Sequence, residues 1–189
     1  MTNLNSLTKY FMLKRLWRIL LLLFPVAIAA PAVAQWNANP AINTAVCVQP
    51  YHQQDVHLVG DNQGGAIAVW TDFRNDPTQA SGDIFVQRMN RDGYMLWTAN
   101  GISLCTLAGD QTAPAITEDG EGGAIAAWTD RRNGNRDIYA QKIDSSGIVK
   151  WTLNGAAVAV KANTQQGVDI VSDAEGGAIV VWEEKIEEW

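Results

Sequence analysis

The chain has 189 residues, with 14 Lys+Arg against 20 Asp+Glu and a formal net charge of −6. An acidic surface repels phosphate backbones and anionic lipid headgroups, so nucleic-acid and membrane-surface roles are disfavoured. A hydrophobic fraction of 47% with only 2 cysteines describes a chain that can build its own core without a disulfide framework.

The N-terminus comes first in the chain and stands apart from the rest. Lys9, Lys14, Arg15 and Arg18 form a basic stretch, and no acidic residue precedes Asp55. An apolar run from Ile19 to Ala30 follows, then Ala32-Val33-Ala34, a small-x-small cleavage pattern. The run is broken by Pro25 and is short against the ~20 residues that span a bilayer as a helix. Residues 1–34 are therefore expected to be a signal peptide, and the protein is expected to be exported, secreted or displayed at the cell surface. Residues 35–189 keep 10 basic against 20 acidic residues. No later segment is apolar enough to enter a membrane as a helix.

The rest of the chain says one thing three times. Asp61-Asn62-Gln63-Gly64-Gly65-Ala66-Ile67-Ala68-Val69-Trp70 returns as Asp119-Gly120-Glu121-Gly122-Gly123-Ala124-Ile125-Ala126-Ala127-Trp128. It returns again as Asp173-Ala174-Glu175-Gly176-Gly177-Ala178-Ile179-Val180-Val181-Trp182. The tryptophans are 58 and then 54 residues apart, a period that marks an array of one supersecondary unit. Trp36, Trp97 and Trp151 divide the array into units of about 36–97, 97–151 and 151–189.

Within the second unit, four extended runs are expected. Ala113 to Glu118 is the first. Gly123 to Asp130 is the second, and its continuous apolar character predicts a strand covered on both faces. Asp137 to Asp144 is the third. Asn133-Gly134 between them predicts a type I′ hairpin, whose two central residues both need φ > 0. The turn Asp144-Ser145-Ser146-Gly147 leads to an expected fourth, outer strand at Ile148 to Trp151, with Trp97 and Trp151 exposed. The first unit carries four extra residues in its hairpin, Asn75 to Gly82, which accounts for 58 against 54.

Four-stranded antiparallel units repeated along a chain predict an all-β, β-propeller-like array. Asp119-Gly120 ahead of an apolar strand, followed by Asp130-Arg131-Arg132-Asn133-Gly134-Asn135-Arg136-Asp137-Ile138-Tyr139, resembles blades of the WD40-like repeats of TolB-type propellers. It resembles still more the long repeat arrays of secreted bacterial proteins. The period is longer here than in TolB-type blades. The third unit reaches Trp182 with Glu183 to Trp189 where a hairpin is expected, so the array reads as incomplete, about two and a half units. Unpaired blade edges then predict self-association.

Residues used once per repeat read as scaffold. Asp72 with Arg74 and Asp130 with Arg132 keep one spacing, answered by Glu183 and Lys185 in the third unit, and read as repeated ion pairs at strand ends. Gln53, Gln111 and Gln165, with Gln87, Gln141, Asn100 and Asn154, read as amides that satisfy backbone groups. Trp70, Trp128 and Trp182 read as core between units. Cys47 and Cys105 sit at matching positions and read as small buried residues, a disulfide being the alternative. The oxygen-rich loop Asp130 to Asp137 lacks the glycine and glutamate placement of a calcium loop. His52 and His57 have no partner at zinc spacing and read as surface residues. No catalytic, cofactor or metal residues are assigned. The expected function is a non-catalytic exported module for a protein or glycan ligand or for surface architecture. The alternative, a fragment of a propeller-scaffold glycan hydrolase or lyase, would require a non-recurring cluster of acidic or aromatic residues, and the repeats display none.

Overall fold

The computed structural model describes Asn39 and residues 43–186. The expected signal peptide lies outside the described residues. Among them there are strands and no helix. Strands β1 (Gln53–Gly60), β2 (Ala66–Asp72), β3 (Asp83–Met89) and β4 (Ile102–Cys105) form one antiparallel sheet in chain order. Strands β5 (Gln111–Glu118), β6 (Ala124–Asp130), β7 (Asp137–Ile143) and β8 (Ala156–Ala159) repeat it. Strands β9 (Thr164–Ser172) and β10 (Ala178–Lys185) form a two-stranded third sheet. The first strand of each sheet packs on the next, β1 on β5 and β5 on β9, so the sheets stack face to face from their first strands in a propeller-like array. No helix among the described residues is long and apolar enough to cross a membrane.

The continuous apolar run of β6 is buried along its whole length. One core cluster joins the first two sheets through Ile67, Val69, Ile84 and Val86 against Ala124, Ala126 and Trp128. A second joins the next pair through Ile125, Ala127 and Ala140 against Ile170, Val168 and Val180. Residues of a second strand therefore alternate, one set facing the preceding sheet and the other the following sheet.

The Asp-x-x-x-Gly pattern is a local turn device. Asp61 Oδ1 accepts from the backbone N–H of Gln63 and Gly65 at 2.9 and 2.7 Å, closing the turn between β1 and β2. Asp119 and Asp173 do the same in the other units. Burial raises the Asp61 pKa, but these N–H donors and the Arg88 guanidinium outweigh it and hold the carboxyl below its ordinary range.

Three expectations are corrected. The fourth strand is Ala156–Ala159, paired with β7; Ile148 to Trp151 contributes only an isolated bridge between Ile143 and Val149. In the Asn133-Gly134 turn only Gly134 takes a positive φ, 101°, and its N–H donates to Arg131 O. The loop is built on a turn starting at Arg131, because Arg132 is drawn back to Asp130, and a two-residue type I′ turn does not form. Trp97 is buried, at 8% exposure, because its indole N–H reaches Ser145 O of the next unit at 3.2 Å. Trp151, one repeat on, is 39% exposed.

Candidate functional site

Two kinds of polar constellation emerge, one repeated and one not. The repeated one surrounds the second-strand tryptophans. Trp128 Nε1 donates to Asp130 Oδ2 at 2.9 Å, and Arg132 Nη2 donates to the same oxygen at 2.6 Å. Arg132 also donates to Asn154 O at 2.7 Å, lies 3.2 Å from Cys105 Sγ, and stacks 3.7 Å above the Tyr139 ring. The first unit reproduces every contact with Trp70, Asp72, Arg74, Asn100, Cys47 and Phe85. The ion pairs expected from the spacing form in both units, and their carboxylates, Asp72 and Asp130, are fully buried. Burial raises the Asp72 pKa, but the donors Arg74 and Trp70 outweigh it and hold the carboxyl below its ordinary range.

The third unit differs. The acid that follows Trp182 at the same distance is Glu184, not Glu183, and it pairs with Lys161 at 2.9 Å and Asn163 at 2.9 Å. Lys185 takes no part in that pair. The two cysteines are free thiols, Cys47 half-buried and Cys105 buried, so the disulfide alternative falls. Burial pushes the Cys105 thiol up to about 11, which leaves it protonated and unreactive at neutral pH.

The repeated amides serve the backbone. Gln87 donates to Thr98 O and accepts from the N–H groups of Arg88 and Trp97; Gln141 repeats this with Thr152, Lys142 and Trp151. Gln111 and Gln165 donate to Gly109 O and Asn163 O.

The constellation that does not repeat lies on the first strands. Each carries a β-bulge at the level of the tryptophan. Asp55 and Val56 together oppose Trp70, Ala113 and Pro114 oppose Trp128, and Gly167 and Val168 oppose Trp182. The first residue of each bulge is left-handed, with φ of 53° at Asp55, 51° at Ala113 and 63° at Gly167. The backbone device recurs, but its side chain does not: Asp, Ala, Gly. Two residues on, the set is His57, Ala115 and Asp169. These bulges border one open cleft of about 490 Å³. Asp55 and His57 edge it from β1, and Asp169 from β9. The small residues Ala113 and Ala115 of β5 lie between them, with Pro114, Ile116 and Val168 as apolar wall. Asp55 accepts from Thr71 Oγ1 at 3.3 Å, and Asp169 Oδ1 accepts from the N–H of Ile170 at 2.8 Å. No group of three or more His, Cys, Asp or Glu residues suited to a metal ion occurs among the described residues.

His57 is exposed, as expected, and also edges this cleft, which Asp55 and Asp169, two acids of different units, border with it. The signal was present in the sequence: aligning the repeats on Gln53, Gln111 and Gln165 places Asp55 and His57 opposite alanines, and Asp169 opposite Ala115.

Ala113 in left-handed backbone costs roughly 1–2 kcal/mol, more than the ~0.5–1 kcal/mol by which glycine weakens a strand. Ala113→Gly, the residue type at Gly167, is expected to raise stability by about 0.5–1 kcal/mol in urea denaturation. A lower midpoint would show that the bulge is not left-handed there.

Comparison with protein-family models gives no match, and neither does comparison with curated proteins. Among solved structures the chain is similar to an α-L-arabinanase from Penicillium chrysogenum, determined with arabinobiose. The identity is 14% and the TM-score 0.41, over 67% of this chain and 38% of that one. It is also similar to an endo-arabinase from Bacteroides thetaiotaomicron VPI-5482, with 16% identity and a TM-score of 0.43, over 76% of this chain and 55% of that one. The chain thus spans less than two thirds of the length of either.

Proposed function

We propose that this chain is an exported, propeller-type repeat module of the WD40-like kind that binds a hydroxyl-rich ligand, a glycan, in the cleft between β1, β5 and β9. The observation that carries the reading is the break in repetition. Asp55 stands where the other repeats carry Ala113 and Gly167, His57 and Asp169 stand where the second repeat carries Ala115, and all three border one cleft. Scaffold residues recur unchanged in this array, whereas at these two positions the residue differs in every repeat. Carboxylates accept hydrogen bonds from sugar hydroxyls, an imidazole donates or accepts, and Pro114, Ile116 and Val168 offer an apolar wall for a sugar's C–H face.

A second reading, glycan cleavage, draws on the same geometry. Asp55 and Asp169 border the cleft from two different units, and a pair of carboxyl groups is what glycan hydrolysis uses as acid and base or nucleophile.

The test is calorimetric titration of the exported protein with oligosaccharides selected by array. Asp55→Asn and Asp169→Asn are each expected to weaken binding tenfold or more, about 1.4 kcal/mol, with the melting temperature unchanged. Release of reducing ends that disappears in both variants would promote the second reading. Wild-type affinity in both variants would remove the cleft from consideration.

A further inference from the structure

Three asparagines of this chain are followed by glycine: Asn100-Gly101, Asn133-Gly134 and Asn154-Gly155. Glycine has no side chain to keep its backbone nitrogen away from the preceding carboxamide, so such pairs are chemically labile wherever the backbone can rotate. The fold treats the three differently. Asn100 and Asn154 are pinned in left-handed backbone, with φ of 67° and 64°. Their Oδ1 atoms accept from the N–H groups of Val48 and Thr106 at 2.9 and 3.2 Å, and their carbonyls accept from Arg74 and Arg132. A Cβ on Gly101 or Gly155 would stand 2.6 Å from the indole of Trp70 or Trp128, so both glycines pack against a buried ring. Rotating either asparagine would break the arginine constellation beside it.

Asn133 lies at the exposed tip of the β6–β7 hairpin. Beyond its chain neighbours, no atom lies within 4 Å of where a Cβ on Gly134 would stand. The Gly134 N–H donates to Arg131 O of the same turn at 2.9 Å. The side-chain nitrogen of Asn133 donates to Asp137 Oδ2 at 2.8 Å and to the Tyr139 hydroxyl at 3.2 Å. In the first unit Asn75 makes the same bond to Asp83, at 2.7 Å, but Asp76 follows it in place of glycine. The Asp76 carboxylate is itself bound by the N–H groups of Thr78, Ala80 and Ser81. The asparagine matters to the acid it serves: burial raises the Asp83 pKa, and the Asn75 bond works against that rise.

We propose that Asn133 is a site of spontaneous deamidation, the one Asn-Gly pair of the three that the fold leaves able to react. The Gly134 nitrogen attacks Asn133 Cγ and forms a C–N bond. The bond from Cγ to the side-chain nitrogen breaks, and that nitrogen leaves as ammonia with the proton given up by Gly134. Water then opens the five-membered imide at either carbonyl and leaves an aspartyl or isoaspartyl residue at position 133. One water is consumed and one ammonia released, with nothing oxidised or reduced. Reaching the geometry of attack requires the hairpin tip to open, and local opening of an exposed turn costs far less than unfolding a core. The product replaces a donor to Asp137 by a carboxylate facing it, and Asp137 is a fully buried acid that starts β7 opposite Asp130. In the same loop Asn135 donates to Lys161 O and Asn163 O of the third unit at 2.6 and 3.0 Å. The modification therefore loosens the second unit and its tie to the third.

The experiment is peptide mapping by mass spectrometry, with detection of isoaspartate, on the full exported chain aged at mildly alkaline pH, both folded and in urea. In the folded protein, conversion at Asn133 is expected to outpace that at Asn100 or Asn154 by about tenfold or more, which corresponds to ~1.4 kcal/mol of difference in opening free energy. In urea the three Asn-Gly pairs are expected to convert at similar rates, with Asn75 lagging behind them. Folded protein in which Asn100 or Asn154 converts as fast as Asn133 overturns the proposal. So does an Asn133 that stays intact in the fold while it converts in urea. Asn133→Asp, which carries the aspartyl product from the start, is expected to lower the melting temperature by about 2–4 °C, the shift a domain of this size shows for one lost contact. An Asn133→Asp variant that melts with the wild type overturns the consequence assigned to the product.

Discussion

Asp130→Ala is expected to destabilise the protein by about 3–5 kcal/mol, the range for removing one partner of a buried ion pair. Arg132 would then lose both short contacts to the carboxylate while remaining held under Tyr139 and beside Asn154 O. The fully buried Trp128 indole N–H would lose its acceptor. An exposed pair at the same spacing would be worth only ~0–1 kcal/mol, so the size of the loss distinguishes the two placements. Asp72→Ala is expected to match it, because Trp70 and Arg74 make the same contacts in the first unit. The contribution of Asp72 also depends on pH. Its folded pKa lies below the unfolded value of 3.8, so its stabilisation is complete above that value and is lost as the pH falls through the lower folded pKa. Urea denaturation of both variants reads the effect directly. Against a total stability of about 5–15 kcal/mol, either change brings the domain close to unfolding. A loss under about 1 kcal/mol at Asp130 would mean that water reaches the pair.

What could be read from the sequence, and what could not, follows from how far each interaction reaches. The Gly-Gly strand, its tryptophan and the third strand are local patterns repeated at a fixed period, and all appear where expected. The fourth strand was misplaced because Ile148 to Trp151 has the composition of a strand and Ala156–Ala159 has not. Pairing with β7 decided the matter, and β-propensity yields to such context. The ion pairs were visible as a spacing, but their burial was not. It arises from Asn100 and Asn154, whose carbonyls sit on the arginines, and from the stacked rings of Phe85 and Tyr139. In the third unit, reading Glu183 for Glu184 was a slip of one residue, which in a strand moves a side chain to the opposite face. The cleft was hardest to see. Its lining comes from the first strands of three different sheets, at and beside the bulges, and only the packing of the sheets brings these residues together.

Gly123→Ala is the other change from which a large loss is expected, and a glycine one repeat on supplies its control. A Cβ at Gly123 would stand 2.3 Å from Ile143 O and 2.7 Å from Asp119 Oδ2. The carbonyl belongs to β7, at the level where that strand pairs with Ala124, so it cannot retreat without opening the ladder. The φ of Gly123 is not left-handed, so the cost is steric alone. Overpacking of this kind costs typically 1–3 kcal/mol, and a backbone obstacle places the expected loss near the top, about 3 kcal/mol. Gly177 has the same place in the third unit, but there the obstacle is the exposed side chain of Asp173, 2.4 Å from where the Cβ would stand, and no third strand lies beside it among the described residues. A side chain can rotate away, so Gly177→Ala is expected to cost about 1 kcal/mol, the low end of the same range. Equal losses at the two positions in chemical denaturation would mean that the turn, and not the neighbouring strand, sets the requirement for glycine. A larger loss at Gly123 would place that requirement in the approach of β7 to the start of β6.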